Sequence, residues 1–318
     1  MADVVSTGIA PVVRYQGNPI ILPADISPEV NAVMNPGATA FDGGTLLLMR
    51  VEDRTGLSRL VVATSRDGLT DWQIDPDRGL RPEPERFEER WGAEDPRITL
   101  IDGVYHIVYT GYSAGGPLVC LALTSDFVTF ERQGILMPPE DKDAALFPQR
   151  FEGRWALIHR PAPASDGFGA NVWLSWSPDL HYWGDGRMLL AARRGGWWDA
   201  NKVGLGPPPL RTDRGWLICY HGVRVTGSGS IYRAGLALLD LEDPRVVLAR
   251  TDEWVFGPQA AYERGGYVPN VVFPSGWVLD EDGDTIRIYY GAADSVIGAA
   301  MASLNSLMEI LEASPTPG

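Results

Sequence analysis

The octapeptide WGAEDPRI at residues 91 to 98 sets two carboxylates, Glu94 and Asp95, against Pro96 and Arg97. A carboxyl flanked by another acid and a cation is equipment for general acid–base chemistry, because neighbouring charges move its pKa. The letters EDPR occur again at 242 to 245, and Asp-Pro is a common turn opener, so the tetrapeptide alone marks nothing. Other charged or ionisable groups stand at the ends of apolar runs: Arg50 after LLLM, Lys142 and Asp143 before AALF, Arg160 after ALIH, Lys202 before VGLG, and His221 after LICY. Such groups are expensive to desolvate unless partnered or liganded. A shared ligand is the economical explanation.

The elements that must position them repeat. A Gly-containing turn followed by a strand-like run occurs at DGGTLLLMRVE (from 42), DGVYHIVYTGY (102), EGRWALIHRP (152), DRGWLICYHGV (213) and DGDTIRIYYGAAD (282). Each is preceded by a segment rich in Pro, Asn and small residues, namely NPGATAF (35), EDPRITL (94), DAALFPQR (143), VGLGPPPL (203) and VPNVVFP (268). Each is followed by another run, from LVVATSRDGLTDWQI at 60 to VIGAAMASLNSLMEIL at 296. Five in-register units without helix-period segments between them predict an all-β, five-bladed β-propeller with a central funnel. The expected blades are 31–75, 92–134, 142–187, 201–250 and 267–311, in a single domain spanning 1–318. The segment 11–30 would close the ring and 312–318 would be a tail.

In a propeller the innermost strands converge on the axis. That geometry gathers Asn35, Glu94, Asp95, Lys142, Asp143, Asn201, Lys202 and Asn270 from the first strands, and Arg50, Tyr112, Arg160, His221 and Asp294 from the ends of the second. It also sorts the twin motifs: Glu94 and Asp95 open an axial strand, whereas Glu242 and Asp243 follow the last strand of the fourth blade and read as a turn. Glu94 is equally a solvated partner of Arg97, and Arg50 is either a strand-end surface charge or a contact to a carboxylate or sugar. His106 and His159 fall within strands and read as core residues.

A formal net charge of −14 opposes binding to nucleic acid or an anionic membrane. The first residues carry no basic segment followed by an apolar core, and no apolar run approaches membrane-spanning length, so the chain reads as cytoplasmic. Cys120 and Cys219 lie far apart in apolar runs, as buried free thiols, and the four histidines have no metal-ligand spacing.

Taken together, NPGA (35–38), RVED (50–53), EDPR (94–97), KDAALFP (142–148), HRP (159–161), NKVG (201–204), YHGV (220–223) and YYGAAD (289–294) resemble glycoside hydrolase family 130, a family mainly of inverting β-mannoside phosphorylases. The resemblance runs from about 31 to 311. It implies a five-bladed propeller, with Asp95 as the proton donor and Lys142, Arg160, Lys202 and His221 binding inorganic phosphate. It places Asn35, Arg50, Tyr232 and Asp294 around the mannosyl unit, with Glu94 and Asp143 as further substrate contacts. Lys142 stands where the family commonly has Arg, and Lys holds phosphate without a bidentate fork. The expected partners are a β-mannoside oligosaccharide and phosphate, with no metal or organic cofactor. Family members are often oligomers that use neighbouring chains to shape the pocket.

The chemistry discriminates among readings. A hydrolase needs a second carboxylate to activate water, for which Asp143 and Asp294 are the candidates. A phosphorylase needs cations to hold an already anionic nucleophile, and Lys142, Arg160, Lys202 and His221 read as four cations at funnel positions, poor equipment for water activation. A non-catalytic carbohydrate-binding propeller would use Trp91, Trp197 and Trp198 as stacking platforms, although these could equally line acceptor subsites or pack blades. Burial beside Glu94 is expected to raise the pKa of Asp95.

Overall fold

The computed structural model describes residues 11–162 and 170–314. LLLM at 46 to 49 shows how the sequence builds the fold. All four side chains are buried, and they alternate between two cores: Leu46 and Leu48 pack with Ile107 and Tyr109, whereas Leu47 and Met49 pack with Tyr289 and Ile297. A strand apolar on both faces belongs to a sheet sandwiched between two others.

The outermost strand of the last sheet comes from the N-terminal end, β1 (Val13–Arg14). Blade I is β2 (Val30–Phe41), β3 (Gly44–Asp53), β4 (Ser58–Ser65) and β5 (Gln73–Asp75). Blade II is β6 (Gly92–Ile101), β7 (Val104–Ser113), β8 (Gly116–Thr124) and β9 (Glu131–Met137). Blade III is β10 (Asp141–Phe151), β11 (Arg154–Pro161), β12 (Val172–Ser177) and β13 (Gly184–Leu190). Blade IV is β14 (Lys202–Leu205), β15 (Leu210–Arg211), β16 (Trp216–Thr226), β17 (Gly229–Leu239) and β18 (Val247–Arg250). After the short helix α1 (Ala261–Arg264), blade V is β19 (Val272–Leu279), β20 (Thr285–Ala292) and β21 (Val296–Ser303), followed by α2 (Leu304–Glu312). Within blades the ladders are antiparallel, and β1 pairs with β21, Val13 opposite Met301.

Five apolar clusters fill the seams between successive blades, I–II, II–III, III–IV, IV–V and V–I. The ring is a five-bladed propeller. Cys120 and Cys219 are free and buried, in the I–II and IV–V seams. EDPR at 242 to 245 forms the turn between β17 and β18, where Asp243 pairs with Arg245 at 2.6 Å. No helix among the described residues is long and apolar enough to cross a membrane.

One expectation fails. LNSLMEIL, read as the continuation of a strand-bearing unit, is the helix α2. Ser303 caps it by accepting the Ser306 N–H, and Leu307, Met308 and Leu311, at helical spacing, join the IV–V core.

Glu263 of α1 is fully buried and takes Arg14 Nε at 2.7 Å, the Tyr290 hydroxyl at 2.9 Å and the Gln259 N–H at 2.7 Å. This fastens β1 to blade V. Arg14→Ala is expected to cost roughly 2–4 kcal/mol, since it strands a buried carboxylate. Urea unfolding checks this, and a loss below about 0.5 kcal/mol would contradict it.

Candidate active site

Asn35, Asp95 and Asp143 occupy equivalent places in β2, β6 and β10. Each has a left-handed backbone, with φ of 46°, 49° and 52°. Each lies where the ladder slips, between Met34 and Gly37, Glu94 and Arg97, and Lys142 and Ala145. Asn and Asp tolerate this conformation better than other side chains, and a bulge re-aims the residue it contains. NPGA, EDPR and KDAAL are therefore three copies of one backbone device that delivers an Asx side chain to the axis.

Those three side chains line an axial cavity of about 110 Å³ with Arg50, Lys142, Arg160, Lys202, His221, Tyr232, Val271, Phe273 and Asp294. Ten of the eleven residues expected to bind substrate or phosphate or to donate the proton are on its wall. The eleventh, Glu94, is not on the wall but is partly exposed beside it, 3.0 Å from Arg50. Asn201 turns away, its side chain accepting the Val225 N–H. Asn270 and Tyr112 are off the wall, and Asn270 instead receives the Tyr232 N–H on its carbonyl. Sequence reasoning missed Val271 and Phe273, which follow the Asn of VPNVVF; the Phe273 ring lies 4.6 Å from that of His221.

The charges are paired across strands. Blades I and II supply Arg50 and Asp95, which meet at 3.3 Å, with Asn35 donating to the same Asp95 oxygen at 2.9 Å. Arg50 also reaches Glu52 at 3.3 Å and Ser58 at 2.9 Å. Blade III supplies the pair Arg160 Nε–Asp143 Oδ2 at 2.6 Å, and His221 Nε2 of blade IV lies 3.6 Å from the same oxygen. Lys202 stands over the Tyr232 ring at 5.0 Å.

Arg97, considered as a partner for Glu94, does something else. It is fully buried and spans the axis to blade IV, donating to the carbonyls of Gly206 at 2.5 Å, Leu205 at 3.3 Å and, behind the bulge, Asp95 at 2.9 Å. His159 is a satisfied core residue: its Nδ1 contacts Asp141 at 2.6 Å and its Nε2 contacts Ser175 at 2.9 Å.

Electrostatics correct two expectations. Burial pushes the Asp95 carboxyl up, but Arg50, Lys142, Arg97 and the Asn35 hydrogen bond outweigh it, so its pKa is lowered rather than raised. Glu94 is the member of the pair that goes up, through burial, with Arg50 opposing and Asp95 reinforcing. His221 is no cation: burial, with Arg160 and Lys202, lowers it to about 3 against the pull of Asp143. Asp143 is held far below the usual carboxylate range because Arg160, His221 and Lys142 overcome its burial. Burial and Asp95 raise Asp294 to about 6. Burial, Arg160 and Lys142 lower Lys202 to about 8.

Three buried polar atoms of the wall, Asn35 Oδ1, Asp143 Oδ1 and His221 Nδ1, have no hydrogen-bond partner among the described residues. Each such atom costs about 1–3 kcal/mol, and three in one cavity point to a polar ligand. A wall this rich in oxygen and nitrogen groups, with carboxylates and cations alternating around it, defines an enzyme for a small, heavily hydroxylated or anionic substrate.

Residues 8–313 match the family described as beta-1,4-mannooligosaccharide phosphorylase. The chain is 36% identical to the 1,2-beta-oligomannan phosphorylase of Thermoanaerobacter sp. (strain X514), covering 92% of this chain and 98% of that protein. It is 32% identical to the beta-1,4-mannooligosaccharide phosphorylase of Ruminococcus albus, with 94% and 90% covered. The structure of beta-1,2-mannobiose phosphorylase from Listeria innocua in complex with beta-1,2-mannobiose superposes with a TM-score of 0.87 at 32% identity, covering 95% and 99%. The chain belongs to glycoside hydrolase family 130.

Two predictions follow from the cavity wall. A Cβ at Gly204 would overlap the His221 ring and crowd Asp143 Oδ2 at 2.7 Å, so Gly204→Ala should lower kcat/KM about 100-fold with the far-UV circular dichroism unchanged. Unaltered kinetics would show that the wall yields. Lys202 has a folded pKa near 8, below its ordinary 10.5, so between these values the unfolded chain binds more protons and stability rises with pH. Below pH 8 the buried ammonium is held at full cost. Lys202→Met should therefore raise Tm at pH 7, with the gain fading as pH approaches 10.5; a lower Tm at pH 7 would contradict it.

Proposed function

We propose that the protein is an inverting phosphorylase that cleaves the non-reducing-end β-mannoside of an oligosaccharide with inorganic phosphate, giving α-mannose 1-phosphate and a shortened acceptor. The relatives carry β-1,2- and β-1,4-mannoside phosphorylase names, and the substrate is accordingly a β-linked manno-oligosaccharide. The observation that carries the reading is the cluster of Lys142, Arg160 and Lys202 on the wall contributed by blades III and IV, sharing one cavity with Asp95 from blade II.

In this mechanism phosphate rests on Lys142, Arg160 and Lys202, with neutral His221 donating one N–H. Asn35, Arg50, Tyr232 and Asp294 hold the mannosyl ring. A phosphate oxygen attacks C1 from the α face as the C1–O bond breaks, and the departing oxygen receives a proton that originates on Asp95. Charge is balanced without a metal or organic cofactor. Water activation would need a second free carboxylate; Asp143 is committed to Arg160 at 2.6 Å, which leaves it a poor base, so a hydrolase on this wall would have to use Asp294.

Asp95 is ionised in the free protein, so substrates must load its proton. Phosphate brings negative charge to Lys142, one of the groups that hold Asp95 down, and the sugar excludes water; both changes raise its pKa. Binding of phosphate together with a non-cleavable mannoside should therefore take up protons near pH 7. Calorimetry in buffers of different ionisation enthalpy measures this, and Asp95→Asn should abolish the uptake and lower kcat at least about 100-fold. Equal uptake by the variant would assign the proton to another group.

The reading as a whole is tested by incubating β-1,2- and β-1,4-manno-oligosaccharides with and without phosphate. Sugar phosphate should form only with phosphate. Equally fast cleavage in phosphate-free buffer would make the protein a hydrolase.

A further inference from the structure

The three tryptophans that could serve as sugar platforms are separated by their surroundings. Trp198 is buried and stacks on Tyr220 at 5.6 Å, so it packs a blade. Trp197 is 40% exposed, but the Arg193 guanidinium lies 4.1 Å over its ring, and that face is occupied. Trp91 is 48% exposed and meets Tyr112, itself 38% exposed, at 5.7 Å and 63°. An edge-on contact of this kind leaves ring faces open to solvent.

The register fixes where this pair lies. Trp91 immediately precedes β6, and its N–H bonds to the Tyr112 carbonyl at 2.8 Å. Across the β6–β7 ladder Tyr112 is opposite Gly92, and Thr110 is opposite Glu94. Opposed residues, and residues two apart, share a face of the sheet, so Tyr112 stands on the face of Glu94, about 7 Å farther out. Glu94 is bound to Arg50, and Arg50 to Asp95. The aromatic pair is thus the outward continuation of the acid's wall. Leu57, 38% exposed, neighbours Ser58, which pairs with Gly92 across the I–II seam.

Chemistry decides what belongs there. Inverting transfer puts the nucleophile and the leaving group on opposite faces of the sugar. With phosphate on blades III and IV, the leaving acceptor departs along the wall of Asp95. A pyranose has an apolar C–H face and polar edges, and an exposed aromatic ring binds that face while the hydroxyls stay wet.

We infer that Trp91 and Tyr112 form an acceptor subsite of the phosphorolytic cavity, a stacking platform for a pyranose ring on the reducing-end side of the scissile bond. The inference rests on the phosphorylase reading. The platform sets which acceptors are used and how long they can be, while the mannosyl and phosphate sites are untouched by it.

The test is run in the synthetic direction from α-mannose 1-phosphate, with mannose, mannobiose and mannotriose of the linkage that the enzyme turns over as acceptors. Trp91→Ala should raise the acceptor KM about tenfold for the oligosaccharides that reach the ring, and leave the KM for α-mannose 1-phosphate unchanged. Trp91→Tyr should restore most of the loss. The exposed Tyr182, in the β12–β13 turn, supplies the control Tyr182→Ala, which should change nothing. An acceptor KM that is the same for Trp91→Ala and the parent enzyme with every acceptor overturns the proposal. So does an oligomer that Trp91→Ala dissociates, since the pair would then be an interface between copies.

Oxidative footprinting of the unsubstituted protein needs no variant. Mannotriose should protect Trp91 and Tyr112 and leave Tyr182 reactive; unprotected Trp91 in a protein saturated with mannotriose overturns the platform. Protection of Trp91 in a protein that forms no sugar phosphate would sink the phosphorylase reading and leave the platform standing.

Discussion

Arg50 and Asp95, and Arg160 and Asp143, each depend on an opposite charge delivered by another strand of the axial cavity. Arg50 is largely enclosed, yet its guanidinium is held charged because Asp95, Glu94 and Glu52 outweigh the cost of desolvation. Asp143 stays ionised in a buried position because Arg160 reaches it at 2.6 Å. A lone ion in such surroundings would neutralise itself or destabilise the fold. Compensation is incomplete on the cation side: Lys202 has no carboxylate contact within ion-pair distance among the described residues, and its pKa falls to about 8. In the proposed mechanism that residual positive charge is what the anionic nucleophile completes.

The backbone serves the same constraint. Left-handed bulges at Asn35, Asp95 and Asp143 place polar side chains at the axis while the neighbouring residues of the same strands fill apolar seams. Backbone strain of this sort, of order 1–3 kcal/mol per residue, persists because the double-sided cores over-determine the strands. Gly291 has a matching role. Any Cβ there would overlap Asn35 Oδ1, so the glycine of YYGAAD is what lets that amide stand beside Asp95.

The architecture was legible because the repeat is written in turns and apolar runs, which are local features. The site was legible because register within a repeat translates directly into position around an axis, so Asp95, Lys142, Arg160 and Lys202 could be gathered without coordinates. Protonation was not. Whether Asp95 is raised or lowered is a contest between burial and three cations from different blades, and EDPR itself shows only Glu94 and Arg97. His221 looked like a cation because its desolvation by Phe273 and Tyr232 is set by distant segments. The helix α2 was missed because LNSLMEIL continues an apolar strand without a break, and only Ser303, as a cap, signals the change.

The central claim is that the cations of blades III and IV hold a phosphate that becomes the nucleophile. Following the reaction of a β-manno-oligosaccharide with inorganic phosphate by 31P and 1H NMR from its first minutes tests this most directly. The account predicts α-mannose 1-phosphate as the first product, in equal amount to the shortened acceptor. Free mannose, or the β anomer of the sugar phosphate, appearing first would contradict it.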